Sequence, residues 1–198
     1  MNIRGIQFDK DKLFWTSDSH FHHDKIIEFC NRPFGDVRTM DSALIQNWNI
    51  AVPKDGIVFD LGDLIMTSRL DYTKWLISQL NGTIYKIMGN HDYRNRMDRQ
   101  IVRDLFEDRV FDTLEISIKD DDLPNNAMNV FMSHYPHMYW PSGYFHVHGH
   151  VHSGPNAETR DKVPFHPRRY DVGVDNNNYT PVSYNQLKNL FLKNLLDK

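Results

Sequence analysis

The sequence predicts an α/β domain with a largely buried sheet, on three observations. Short apolar runs rich in β-branched and aromatic residues recur along its 198 residues, helical patterns lie between them, and nearly every run ends in a polar or glycine-containing cluster. The expected strands are Lys12–Thr16, Gly56–Leu61, Thr83–Met88, Asn129–Met132 and Tyr144–Val147, with a weaker one at Tyr170–Val174. Ile26–Cys30 reads as one face of a helix. Thr39–Ala51 has helical spacing, with Thr39 as its cap and Ala43, Leu44, Trp48 and Ile50 as its apolar positions. Leu70–Leu80 repeats the pattern with Trp75, Leu76 and Leu80. A last helix follows Pro181, where Ser183 and Gln186 stand in capping-box relation. Its stripe of Leu187, Leu190, Phe191 and Leu195 is expected to pack the core, a docking face being the alternative. Asp120–Asn126 reads as a solvated turn between two strands, and Ser153–Arg169 is the longest aperiodic segment.

No repeat, low-complexity tract or linker divides the chain, so residues 1–198 are expected to form one domain. That size buries a full core without disulfides or a structural metal, so any metal is expected to be catalytic. The single cysteine, Cys30, excludes an internal disulfide, suits a reducing cytoplasm and is expected to pack in the core. No apolar run approaches the roughly 20 residues of a membrane span, and Met1–Lys12 contains no signal-like stretch. The expectation is a soluble cytoplasmic protein without a membrane partner. A net charge of −3 gives no global footprint for stable nucleic-acid binding. Arg168–Arg169 and the Arg94, Arg96, Arg99, Arg103 series are the local basic candidates, but Asp98 and Asp104 interleave the series, which reads as a solvated helix face.

Phe145–His152 is chemically the most informative stretch, since four of the 11 histidines fall there at every second position. In an extended segment His150 and His152 would project the same way with Cβ atoms about 6.5–7 Å apart. That gap suits one histidine on each of two ions about 3.5–4 Å apart. Five clusters in all sit at or just beyond expected strand ends: Asp18-Ser19-His20, Gly62-Asp63, Gly89-Asn90-His91-Asp92, Ser133-His134 and Gly149-His150-Val151-His152. Open α/β sheets place their ligand crevice there. Asp18 and His20 offer a carboxylate and imidazole pair, Asp63 two oxygens able to bridge ions, and Asn90 a neutral carbonyl. Mixed nitrogen and oxygen ligands without thiolate favour two divalent ions of manganese, iron, zinc or nickel over calcium or soft copper.

In this ordered set the sequence resembles the calcineurin-like metallophosphoesterase superfamily, whose pattern is Asp-x-His, Gly-Asp, Gly-Asn-His-Asp/Glu, His and Gly-His-x-His. The blocks span positions 18 to 152, and Asn31-Arg32-Pro33-Phe34 and Val172-Gly173-Val174-Asp175 resemble a small bacterial and phage branch. The resemblance implies a sandwich of two mixed β-sheets flanked by helices (α/β/β/α). It implies that Asp18, His20 and His152 hold a first metal, that Asn90, His134 and His150 hold a second, and that Asp63 bridges them. His91 would face the substrate rather than bind metal.

Two divalent ions, manganese being the first expectation, would supply hydroxide near neutral pH and polarise phosphoryl oxygens. His91 is then the expected proton donor to the leaving oxygen, with Asp92 either orienting it or capping the following helix. The protein phosphatase signature Gly-Asp-x-x-Asp-Arg-Gly is broken here, where Gly62-Asp63-Leu64-Ile65-Met66-Thr67-Ser68-Arg69 stands. This argues against phosphoprotein substrates and for phosphodiesters of small nucleotides or nucleic-acid ends. A phosphomonoesterase of nucleotides or sugar phosphates and a non-catalytic metal-binding scaffold are the alternatives. Substrate contacts are assigned to His23, Arg32 and Arg69, with Arg94 a further phosphate clamp, while a helix-start hydrogen bond for His23 and plain salt bridging for the arginines are the blander readings. His146 and His148 either orient ligands or fill strand positions.

Overall fold

Alternation along the first strand, β1 (Leu13–Thr16), divides its side chains between two cores. Leu13 and Trp15 face one of them, where Phe59 and Leu61 meet Leu114, Val130, Met132 and Val147. Phe14 faces the other with Val58 and Ile84, against Ile26, Met40, Leu44, Trp48 and Leu76. The computed structural model describes residues 8–94, 102–123, 125–154 and 163–196. Within them the architecture is a sandwich of two mixed sheets flanked by helices.

The first sheet has the order β4 (Val110–Phe111), β3 (Thr83–Ile87), β2 (Ile57–Asp60), β1 and β9 (Val182–Ser183). Its first four strands run parallel, with Leu13 opposite Ile57 and Ile57 opposite Thr83, and β9 closes the edge antiparallel to β1. The second sheet has the order β5 (Thr113–Lys119), β6 (Ala127–Ser133), β7 (Phe145–His148) and β8 (Arg169–Asp171). β5 and β6 form a hairpin, and β6, β7 and β8 are parallel. The carboxyl ends of β1, β2, β3, β6 and β7 therefore meet on one rim.

Helices α1 (Asp24–Phe29), α2 (Val37–Ala51) and α3 (Leu70–Gln79) cover the outer face of the first sheet. A short helix, α4 (Asn90–Arg94), follows β3. α2 begins two residues before Thr39, because Asp36 is its cap and accepts from the Thr39 amide at 2.8 Å. The final helix, α5 (Tyr184–Leu196), has the expected capping box: the Ser183 amide donates to Gln186 Oε1 at 2.8 Å. Leu187 and Phe191 are buried, so this stripe is core packing, and Phe191 stacks on Phe145 at 4.3 Å. Two apolar positions read as helix faces turn outward instead, Ile50 and Trp75.

Asp120–Asn126 closes the β5–β6 hairpin, with the Asp120 amide donating to the Asn126 carbonyl at 3.0 Å. Arg96 and Arg99, the side chain of Arg94 and residues 155–162 of the aperiodic stretch lie outside the described residues. Cys30 is buried in the helix-side core. Among the described residues no helix is long and apolar enough to cross a membrane.

Candidate metal centre

The segments that leave the strands at the common rim are bent by left-handed residues. Asp18, His20, Asp63, His150 and His152 have φ of 58°, 52°, 56°, 71° and 47°. Each costs of order 1–3 kcal/mol for a non-glycine residue, and such strain clusters at functional sites. This corrects the expectation that the two Asp/His and His/His pairs converge because they are extended. β7 ends at His148, and His150 and His152 reach the rim through successive kinks beyond it.

The kinks are held by hydrogen bonds across the rim. The Asp18 amide donates to Gly62 O and that of His20 to Asp63 O, each at 3.0 Å. The His150 amide donates to Asp18 Oδ2 at 2.8 Å, and the Val174 amide to Ser17 O at 3.0 Å. The Asp41 carboxylate, reached by the His22 amide at 3.1 Å, holds the loop after His20. Two glycines make the approach close enough. A Cβ at Gly149 would land on Ser17 Oγ and Asp18 Oδ2, and one at Gly62, where φ is +114°, would land on His134 Nδ1.

The result is a concentration of ligand atoms. Asp18, His20 and His152 offer atoms within 4.8 Å of one another, as do Asp18, Asp63 and His134, and His20, Asp63 and His91. His134 Nε2 lies 3.5 Å from Asp63 Oδ2, His20 Nε2 3.8 Å and His91 Nε2 3.9 Å. Asn90 Oδ1 stands 2.8 Å from both His134 Nε2 and His150 Nδ1. His152 Nε2 lies 3.9 Å from Asp18 Oδ1. The seven expected metal-binding side chains are thus in one place, with His91 beside them.

The donor set fits a cation. Asp18 Oδ1 and His20 Nε2 are buried without a hydrogen-bond partner, a cost of about 1–3 kcal/mol each unless something positive sits between them. His134 Nδ1 lies 2.8 Å from Leu61 O, which assigns the proton to Nδ1 and leaves an Nε2 lone pair facing Asn90 and Asp63 oxygens. His152 Nδ1 is likewise turned to Asp175 Oδ2 at 2.8 Å, leaving Nε2 toward Asp18. Burial and the neighbouring His152 and Arg32 charges push His20 well below the usual imidazole range, so it presents a lone pair. Burial drives Asp63 up to about 6, opposed by His134 and reinforced by Asp18 and Asp92. Burial works against a charged His152, but the hydrogen bonds to Asp175 and Cys30 and the Asp18 charge overcome it and raise its affinity for a proton, to about 11; a cation held between Nε2 and Asp18 would take that proton's place. Carboxylates this crowded in a buried site are relieved by a proton or by nearby positive charge, and several of these His/Asp groups are able to bind metal ions.

The remaining expected positions divide. His23 has no side-chain cap hydrogen bond at the start of α1, and its Nδ1 instead faces His20 Nδ1 at 3.2 Å, at the edge of the cluster. Arg32 is corrected as a phosphate clamp: its buried guanidinium donates to Asp175, Ser19 O and Asp18 O. Arg69 pairs with Asp71 at 2.9 Å on the exposed start of α3, as ordinary surface salt bridging would have it. Asp92 accepts from the amides of Gly89 and Asp63 and from Lys86 Nζ, at 2.8, 3.1 and 2.9 Å, so it braces the backbone that carries the cluster. His146 and His148 are buried strand positions: His146 Nε2 accepts from the His137 amide at 3.0 Å, and His148 Nδ1 lies 2.9 Å from Gly149 O.

Lys86 and Asp175 are positioning groups whose roles sequence reasoning passed over. Lys86 had a signal, a lone charge at the centre of an apolar strand, and it is fully buried between Asp60 at 2.5 Å and Asp92 at 2.9 Å. Asp175 stands two residues after Gly173, in a motif legible only as context.

Fold and site together define an α/β two-sheet sandwich with a histidine- and aspartate-rich candidate metal centre at its strand ends. The chain is 33% identical over 188 residues to the uncharacterized protein MJ1445 of Methanocaldococcus jannaschii, covering 92% of each, and it belongs to that protein's family. It is 29% identical over 184 residues to the gene 66 protein of Mycobacterium phage L5, covering 82% of this chain and 86% of the phage protein. The fold is shared with the protein of unknown function AQ665 from Aquifex aeolicus, at a TM-score of 0.61 and 20% identity over 90% of this chain and 98% of that one. No family model matches the sequence.

Proposed function

We propose that the protein is a dinuclear-metal phosphoesterase that cleaves phosphodiesters of small nucleotides or nucleic-acid ends. The observation that supports this most is the convergence of buried lone pairs on Asp63 from both sheets, with Asp18 Oδ1 and His20 Nε2 lacking any hydrogen-bond partner. In this reading Asp18, His20 and His152 hold one ion, Asn90, His134 and His150 the other, and Asp63 is shared. Manganese is the first choice, with iron, zinc and nickel compatible with the same ligands. When bound, the two ions supply hydroxide near neutral pH and polarise the phosphoryl oxygens.

The chain's own residues do the rest. The His91 amide donates to Asp63 Oδ1 at 2.9 Å, which fixes the residue beside the cluster, and its side chain is partly exposed, so an entering substrate can reach it. From there it gives a proton to the leaving oxygen. His23 lines the same edge and contacts the substrate. Asp92 and Lys86 hold the Asp63 and Gly89 backbone so that the bridging carboxylate does not swing. Turnover of bis(p-nitrophenyl) phosphate against p-nitrophenyl phosphate with added manganese tests the reading. Diester cleavage lost on chelation is expected; faster monoester turnover would move the substrate class, and inactivity toward both with two metals bound would leave a scaffold.

A further inference from the structure

We infer that Arg32 is a positioning residue that assembles the Asp18, His20 and His152 ligand set as a unit; this rests on the metal reading above. Its side chain comes from the loop after α1, outside every ligand-bearing block, and is wholly buried. One edge of the guanidinium grips Asp175, with Nε to Oδ1 at 2.8 Å and Nη2 to Oδ2 at 2.9 Å. Asp175 Oδ2 in turn holds His152 Nδ1 at 2.8 Å. The other donors reach backbone: Nη2 to Asp18 O at 2.8 Å and Nη1 to Ser19 O at 2.9 Å. Those carbonyls flank the left-handed turns of Asp18 and His20.

A single planar group thus braces three ligands from two chain segments far apart in sequence. The Asp18–His20 backbone is fixed directly. His152 is fixed through a carboxylate that engages Nδ1 and so turns Nε2 toward Asp18. Lysine cannot replace this geometry, since a point charge does not form the fork to Asp175 while serving two carbonyls. Among the described residues the other ligand group, Asn90, His134 and His150, makes no hydrogen bond with Arg32 or Asp175: Leu61 O orients His134, and the tie to the first set is the His150 amide, donating to Asp18 Oδ2 at 2.8 Å. The effect of Arg32 should therefore fall on one of two metal positions.

Manganese titration by calorimetry of the full chain, with cobalt absorption spectra as a second readout, tests this on Asp175→Asn and Arg32→Lys. Asp175→Asn keeps the shape and is expected to weaken one binding event about 10–100-fold while leaving the other unchanged. Arg32→Lys is expected to weaken the same event and alter the same cobalt bands. Equal affinities for both events, within twofold of wild type, in a folded Asp175→Asn protein would overturn the inference, even if its metal-free melting temperature fell. Equal weakening of both events would overturn it too. A wild-type protein that takes up no manganese or cobalt would instead remove the metal reading itself and this inference with it.

Discussion

His134 Nε2 stands 3.5 Å from Asp63 Oδ2, and this contact joins the end of β6 in one sheet to the end of β2 in the other. Two acceptor-bearing groups face each other there, because the His134 proton is assigned to the nitrogen beside Leu61 O. Asp63→Asn removes the charge and leaves the volume. It is expected to lose bound metal and activity together while its far-ultraviolet circular dichroism stays native. Elemental analysis of the purified variant reads this directly, and a full complement of two ions in an active Asn variant would rule out Asp63 as the bridge.

His91 has a different expected signature. Its Nε2 lies 3.9 Å from the same carboxylate oxygen, within reach of a ligand group with His20, so binding and proton donation are both geometrically open to it. As the proton donor, His91→Ala should retain both metals and lose about 10²–10⁴-fold in rate. The loss should shrink for a substrate with a good leaving group such as p-nitrophenolate, which needs no proton. Metal contents of wild type and variant, measured side by side, decide it; depletion in the variant would make His91 a ligand.

That these candidate residues lie together was legible because each block ends a strand whose apolar run is visible, and strand ends on one rim converge whatever the loops do. What the sequence did not disclose was how they converge. Alternation in an extended segment is the wrong reason, since Asp18, His20, His150 and His152 all sit at positive φ. Asp and His visit that region more often than most other non-glycine residues, but the bias is too weak to announce a turn at any one position. β5 is a clean alternation of buried and outward residues over Thr113–Lys119, yet no two of its apolar residues are adjacent, so a search for apolar runs passes over it. β4 and β9 are two residues long, too short for any periodicity. Arg32 shows the remaining gap: an arginine beside a site looks like a phosphate clamp until burial shows its donors already used.

Lys86 gives a stability prediction. Burial works against its charge, but Asp60 and Asp92 overcome this and raise its pKa above the usual lysine range. Lys86→Met would leave two buried carboxylates without their cation, and removing one partner of such a cluster costs about 3–5 kcal/mol. Urea denaturation of the metal-free protein should show that loss as a lower midpoint with an unchanged slope. A loss below about 1 kcal/mol would mean that Asp60 and Asp92 are neutral or solvated and that the brace on Gly89 and Asp63 does not depend on Lys86.

His146 sets an acid limit on stability. Burial, followed by the neighbouring His148, depresses its pKa to about 3, against about 6.5 for an unfolded imidazole. The ring is therefore neutral in the folded protein, where Nε2 accepts the His137 amide at 3.0 Å. The unfolded chain binds a proton that the folded one refuses. The contribution is fully present above pH 6.5 and is lost as pH falls from there toward 3, with a slope of about 1.4 kcal/mol per pH unit. His146→Gln keeps a polar side chain and cannot titrate, so its stability should fall less steeply over pH 6.5 to 4 by about that slope. Parallel pH profiles for wild type and variant, from urea midpoints at each pH, would show that His146 is protonated in the fold and that its ring is not sealed between Trp140 and Phe131 as the 5.1 and 5.2 Å ring separations place it.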